Sequence, residues 1–310
     1  VTVELSLVIP AYNEAPRLAA GYQRLEPFLE EFGAARIQVV VVDDGSSDGT
    51  LHRAHEVYGH LEHALFVQQP KNLGKGAALR LGVALATGAN VITADADMAI
   101  NPTQIPLFVA ALRDAAIVPG SRAIAGHIVY SSQLRTLTGA AFNRLVRHYA
   151  HTNVRDTQCG CKGFQLGPAR LLGLLGRVDG FAFDVELLYL ATQLDLSVRP
   201  IHVTWQDVAG SSVRLGHDTR NMVRDIRGLS RTRYENPVVE LSIRVSTGDV
   251  IPLAREARLT GLVLAYGERD ALLVLPRDGA LGGASIAAAL EGPLRTARLE
   301  ELRGRRYVAV

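Results

Sequence analysis

Val91-Ile92-Thr93-Ala94-Asp95-Ala96-Asp97 is an apolar strand that runs into two aspartates. It has a counterpart upstream, Val39-Val40-Val41-Val42-Asp43-Asp44-Gly45-Ser46, a second apolar run ending in paired acids. Continuous apolar runs of this kind read as strands covered on both faces, the environment of a parallel sheet. Open α/β sheets bind ligands at the C-terminal ends of their strands, where both acid pairs stand. Residues i and i+2 of an extended strand share a face, so Asp95 and Asp97 are expected to converge on one cation. All-oxygen ligands suit Mg²⁺ or Mn²⁺ carrying a diphosphate.

Around these two runs the first hundred residues alternate strand and helix. Leu5–Pro10 is a short apolar strand ended by proline. Asn13 offers an N-cap and Pro16 a first-turn residue for a helix carrying Leu18, Tyr22, Leu25, Phe28, Leu29 and Phe32. Further strands are expected near 64–68, 90–94, 116–119, 163–166 and 198–205, with helices over about 75–86 and 183–194. The fold class is therefore α/β, a mostly parallel sheet with helices on both faces. Two basic helices are expected over 131–151 and 217–233; residues 211–233 carry six arginines against two aspartates. After Asn236-Pro237 the pattern changes to short strands and a helix over 285–302. The expected division is thus a domain over 1–235 and a small α+β appendage over 236–310, the latter a candidate for dimerisation, regulation or docking to a partner.

Composition narrows the setting. The chain has 310 residues, 48% hydrophobic and 21% charged, which allows a sizeable core in one or two domains. Its net charge of +2 gives no case for nucleic acid as a partner. Lys71, Lys75 and Lys162 are the only lysines among 33 basic residues, an arginine bias expected of a GC-rich, bacterial genome. Two cysteines give no disulfide framework and fit a reducing cytoplasm. No secretory leader is read, and no apolar run reaches the ~18–20 residues that span a bilayer. The expected location is cytoplasmic, at most peripheral at the inner face of the plasma membrane.

Four motifs occur in order: Pro10-Ala11-Tyr12-Asn13-Glu14, Asp43-Asp44-Gly45-Ser46-Ser47-Asp48-Gly49-Thr50, Asn72-Leu73-Gly74-Lys75-Gly76 and Asp95-Ala96-Asp97. Together they resemble the inverting nucleotide-sugar glycosyltransferases of family two, which have the GT-A fold. Gly120-Ser121-Arg122, Arg135, Asp156–Gly160, Lys162-Gly163-Phe164 and Phe183–Leu188 are similar to the polyprenyl-phosphate sugar synthase branch. Val203-Thr204-Trp205, Gly210-Ser211 and Asp225-Ile226-Arg227 resemble the dolichyl-phosphate β-glucosyltransferases more than the mannosyl enzymes. The resemblance covers about residues 3–235. Cys161 departs from it, standing where an aromatic is expected.

The resemblance implies roles, each beside a plainer reading. Pro10, Ala11, Tyr12 and Glu14 lie around the nucleotide base, although a capped helix start explains Asn13 and Pro16 equally well. Asp43 and Asp44 accept hydrogen bonds from base or ribose; Ser46, Ser47 and Asp48 fit a turn capping the next helix. The glycine turn at 72–76 opens a helix whose N–H groups suit an anion. Lys75 there reaches a phosphate or a nucleotide carbonyl, or is a solvated turn lysine. Asp95 and Asp97 hold Mg²⁺ or Mn²⁺, which stabilises the charge on the departing diphosphate. Arg122, Arg135 and Lys162 receive the acceptor phosphate, guanidinium forks offsetting the repulsion of a crowded anionic site. Asp156 is the candidate catalytic carboxylate. A phosphate acceptor with a second pKa near ~6 is already nucleophilic at neutral pH, so Asp156 acts as base or only orients. Cys159 and Cys161 read as small packing residues.

The expected function is transfer of a hexose, glucose from UDP-glucose foremost, onto a polyprenyl phosphate to give a β-linked lipid-phosphate sugar. The basic helices would then meet an anionic membrane surface. The rivals are the same fold acting on a soluble or polysaccharide acceptor, and a catalytically silent nucleotide-sugar-binding protein. A nucleotidyltransferase would need an N-terminal Gly-rich, Arg/Lys signature that this chain lacks.

Overall fold

A computed structural model describes residues 2–122, 146, 149, 154, 156–194, 196–205, 217–229 and four short strands beyond 240. The chain divides into two compact units, residues 1–192 with 196–230, and residues 193–195 with 231–310. Residues 235 and 236, on either side of the expected boundary, lie outside the described set, as do the helix expected over 285–302 and all but residues 146 and 149 of the one expected over 131–151.

The first unit is built on a mixed seven-stranded sheet. Its strands are β1 (Leu5–Ala11), β2 (Ile37–Asp43), β3 (Ala64–Gln68), β4 (Asn90–Thr93), β5 (Ile117–Ser121), β6 (Lys162–Gln165) and β7 (Ile201–His202), in the order β3-β2-β1-β4-β6-β5-β7. Seven helices accompany it among the described residues: α1 (Ala15–Phe32), α2 (Thr50–Tyr58), α3 (Lys75–Leu85), α4 (Ile105–Ala111), α5 (Leu166–Leu175), α6 (Phe183–Gln193) and α7 (His217–Leu229).

Side-chain alternation sorts β1 between two layers. Leu5, Leu7 and Ile9 join Val39, Val41 and Ile92 in one buried core with Leu18, Leu25 and Phe28 of α1, Tyr58 of α2 and Phe108 of α4. The opposite face takes α3. A Cβ on Gly82 would stand 2.3 Å from Val8 Cγ1, so only glycine lets this helix approach so closely. Helices do cover both faces, but the sheet is not uniformly parallel. β6 runs antiparallel to both β4 and β5, pairing Thr93↔Lys162 and Pro119↔Lys162.

That reversal places the site. The chain enters β6 at the sheet edge where β4 and β5 end. Residues 156–161, which lead into the strand, therefore lie beside the loops that follow β4 and β5.

In the second unit Ser242–Arg244 (β8) pairs antiparallel with Val250–Pro252 (β9), and Gly261–Val263 (β10) with Val274–Pro276 (β11). Strand β9 had no counterpart in the reading of the sequence.

Candidate active site

The Asp-x-Asp pair does not sit within the strand. β4 ends at Thr93, and the last ladder bond runs from Ala94 N to Val8 O at 3.1 Å. The next donor of a parallel ladder on that side would be residue 10, a proline without an N–H. The chain turns instead: Met98 N donates to Asp95 O at 2.9 Å, and Met98 takes φ 46°. The expectation of one shared strand face is corrected accordingly, and the two carboxylates have different surroundings.

Asp95 Oδ1 accepts from Lys75 Nζ at 2.6 Å. Packing around Asp95 would raise its pKa, but Lys75, then Lys162 and Arg122, outweigh it and the net shift is downward. A Cβ on Gly160 would fall 2.2 Å from Asp95 Oδ2, so a bare backbone is required there. Asp97 Oδ1 accepts from Ala99 N at 3.1 Å, and Arg17 Nη1 stands 3.9 Å from Oδ2. Burial and then the charge of Asp95 raise the Asp97 pKa.

Glu14 is pushed up to about 7, by burial first; Arg17 opposes the shift, and Asp97, Asp95 and Asp48 add to it. Its Oε2 is buried without a hydrogen-bond partner, although Arg17 Nη1 lies 3.2 Å away. This cluster of three carboxylates, Glu14, Asp95 and Asp97, fits a hard divalent cation. Among the described residues no three His, Cys, Asp or Glu side chains form a ligand group by themselves.

The first two motif loops are laced together. Helix α1 starts at Ala15, and Glu14 rather than Asn13 occupies the cap position. Asn13 sits at φ 53°; its N–H donates to Ser46 Oγ at 2.9 Å and its Oδ1 accepts from Ser47 N at 3.1 Å. The open N–H groups at the helix start go to the other loop, Glu14 N to Thr50 Oγ1 at 2.9 Å and Ala15 N to Asp48 Oδ2 at 3.2 Å. Tyr12 is exposed beside them.

Asp43 and Asp44 are buried and have protein partners at every carboxylate oxygen. Asp43 accepts from Ser46 N at 3.0 Å and Gln68 Nε2 at 2.8 Å. Asp44 accepts from Leu73 N at 2.7 Å, Gly74 N at 2.8 Å and Gln69 Nε2 at 3.0 Å. Asp43 thereby ties Ser46 to the end of β3, while Asp44 organises the glycine turn. That turn is not an open anion site either, because Gly76 N donates to Asp179 O at 2.7 Å. Lys75 is partly buried, and its ammonium pairs with Asp95.

Lys162 is 1% exposed, and its ammonium donates to Cys159 O and pairs with Asp184. It influences the site through its charge, which lowers the pKa of Asp95 and Asp156. Direct contact with an acceptor phosphate, as expected from the sequence, is not what this placement offers. Asp184 was not singled out by itself, although an acid inside the apolar run Phe183–Leu188 is a visible signal. Cys159 and Cys161 are buried free thiols, Cys159 pushed up to about 11 by burial.

Arg122 and Asp156 meet at the ends of β5 and the segment leading into β6. Arg122 Nε and Nη2 donate to Asp156 at 2.7 and 2.9 Å, and the Arg122 backbone N–H adds a bond of 3.0 Å. Burial would raise the Asp156 pKa, but Arg122 outweighs it and holds the carboxyl below the usual range. With both oxygens engaged, Asp156 is arranged to orient Arg122 rather than to abstract a proton. Arg135 lies outside the described residues. Two residues with no assigned role stand nearby, Gln158 and Trp205, the latter with its ring 5.6 Å from Arg122 Cζ.

The family model described as Glycosyl transferase family 2 matches residues 6–171. Dolichyl-phosphate beta-glucosyltransferase of Drosophila melanogaster is 36% identical over 240 residues, covering 73% of this chain and 74% of that protein. The Homo sapiens protein of the same name is 34% identical over 228 residues, covering 68% and 70%. Among solved structures, glucosyl-3-phosphoglycerate synthase from Mycobacterium tuberculosis with UDP superposes at TM-score 0.57 and 20% identity, over 83% of this chain and 91% of that one. The same protein with Mn²⁺, UDP-glucose and phosphoglyceric acid gives 0.54 and 20%, over 83% and 90%. These structures share the fold.

Proposed function

The chain belongs to glycosyl transferase family 2 and is a glycosyltransferase, and from that premise we propose that it moves glucose from UDP-glucose onto a polyprenyl phosphate. A phosphate oxygen of the acceptor attacks the anomeric carbon, the bond to UDP breaks, and the product is a β-linked lipid-phosphate glucose. The observation that carries this reading is the Arg122–Asp156 pair beside Asp95, a positive fork held at the edge of an acidic turn, in a chain 36% identical to a dolichyl-phosphate beta-glucosyltransferase.

Asp95 and Asp97 would hold Mg²⁺ or Mn²⁺, and the donor's own oxygens would complete the shell. Such a cation supplies charge neutralisation for the departing diphosphate. The chain's residues do the rest. Asp44 shapes the 69–74 turn next to the donor. Lys75 keeps Asp95 ionised and aimed. Asp156 holds the Arg122 guanidinium rigid, so that it meets the acceptor phosphate without reorganising.

In this reading the protein works at the cytoplasmic face of a membrane. Support comes from the exposed arginines of α7, Arg224 and Arg227, which suit anionic headgroups. No described helix is long and apolar enough to cross a membrane.

The test is transfer of labelled glucose from UDP-glucose to farnesyl phosphate with Mn²⁺, followed into the organic phase, with GDP-mannose as competing donor and 3-phosphoglycerate as competing acceptor. Label in the lipid that is lost with EDTA or with Asp97→Ala is expected. Transfer only to 3-phosphoglycerate would replace the acceptor assignment.

A further inference from the structure

A pocket opens beside the Asp-x-Asp turn, and its lining combines charged, polar and apolar side chains. The lining includes the polar Asp95, Arg122 and Gln158 and the largely apolar Met98, Ile105 and Trp205. The Gln158 Nε2 amide is buried and has no hydrogen-bond partner among the described residues. A buried unmet donor costs about 1–3 kcal/mol, so a pocket that keeps one is suited to a ligand acceptor atom.

Trp205 is 39% exposed, yet it does not hang loosely. Its backbone bridges Ile100. The preceding Thr204 is clamped by Gln104, with Thr204 N donating to Gln104 Oε1 at 2.9 Å and Gln104 Nε2 donating to Thr204 O at 3.3 Å. A half-exposed indole fixed at the rim of a site is an apolar platform awaiting a surface to cover.

We propose that this pocket receives the phosphate end of the acceptor, with Gln158 donating to a phosphate oxygen and Trp205 covering the first isoprene unit. Trp205 thereby selects a hydrocarbon phosphate over a hydroxylated one. The proposal rests on the lipid-phosphate reading above. Charge complementarity supports this occupant, since Arg122 Cζ stands 5.6 Å from the indole ring and Met98 and Ile105 line the same pocket. A hexose fits less well against Trp205: it bears hydroxyls around its ring, and Met98 and Ile105 offer them no hydrogen bond.

Trp205 is the sole tryptophan of the chain, so its emission reports on the pocket without a label. Protein loaded with UDP and Mn²⁺ is titrated with farnesyl phosphate, 3-phosphoglycerate and inorganic phosphate. A saturable emission change is expected with farnesyl phosphate alone. In transfer assays W205A should raise the KM for farnesyl phosphate by about tenfold with little change in kcat, and W205F should recover most of the loss. An emission change caused by UDP-glucose with none from farnesyl phosphate assigns the indole to the sugar and overturns the proposal. A wild-type KM in W205A does so as well. If the wild-type protein makes no lipid-linked glucose, the acceptor reading falls; if it does and Trp205 is silent, only this inference falls.

Discussion

The Lys75 ammonium lies 2.6 Å from Asp95 Oδ1, across 20 residues of sequence and two elements of structure. The first residue of α3 thus holds the first acid of the turn after β4. Loss of that charge has a defined direction. In K75M the Asp95 pKa rises, so the acid limb of the kcat/KM profile moves to higher pH. A charge-assisted bond of about 1.5–3 kcal/mol corresponds to a roughly 10–100-fold loss at neutral pH. Steady-state kinetics between pH 5 and 8 checks both.

Asp156 is 4% exposed and bound three times by Arg122. D156N should lower the unfolding midpoint and weaken transfer. The stability that this pair contributes is present above the unfolded carboxyl pKa of about 3.9 and is lost as pH falls through the lowered folded value. R122Q/D156N should cost less than the two single changes together, because a lone buried charge is worse than none. Thermal unfolding of the four proteins completes the cycle.

Glu14 titrates about 7 in the folded chain against a reference of 4.5. The native state therefore binds more protons between these values, and cation-free protein loses stability as pH rises through that window. E14Q should flatten this slope and unfold at a higher temperature than wild type at pH 8. Unfolding curves in EDTA across pH 4.5–8 test the sign.

Gly160 packs its Cα against the Asp95 carboxylate, and an added Cβ would lie 2.2 Å from Oδ2. G160A should move the carboxylate and lower kcat by about 100-fold or more, since small misplacements at a reacting centre are costly. Circular dichroism and UDP binding, both expected to persist, separate this from misfolding.

The strand and helix alternation of the first hundred residues was legible because apolar runs such as Val39–Val42 belong to strands buried on both faces. The direction of β6 was not legible. Gly163-Phe164 reads the same in either sense, and only pairing decides it. The Asp-x-Asp pair was found, but its geometry was misread, because strand alternation was applied beyond a ladder that Pro10 ends. Asp43, Asp44 and Lys162 have the residue types of ligand contacts and also serve as internal supports. Ser46 and Cys159 are local partners of Asp43 and Lys162, but Gln68, Gln69, Leu73, Gly74 and Asp184 lie 22 to 30 residues from the side chains they bind, where no local pattern points. Gln158 left no signal, since its distinction is the absence of a partner.

Strand β6 pairs with β4 on one side and β5 on the other, and Lys162 stands opposite both Thr93 and Pro119. The Asp-x-Asp turn after β4 and the Arg122 end of β5 are therefore stitched to one four-residue ribbon. Neither can be exchanged as a module. If the proposed acceptor role of Trp205 holds, a change of acceptor is open to the loop that bears it and closed to the shared seam.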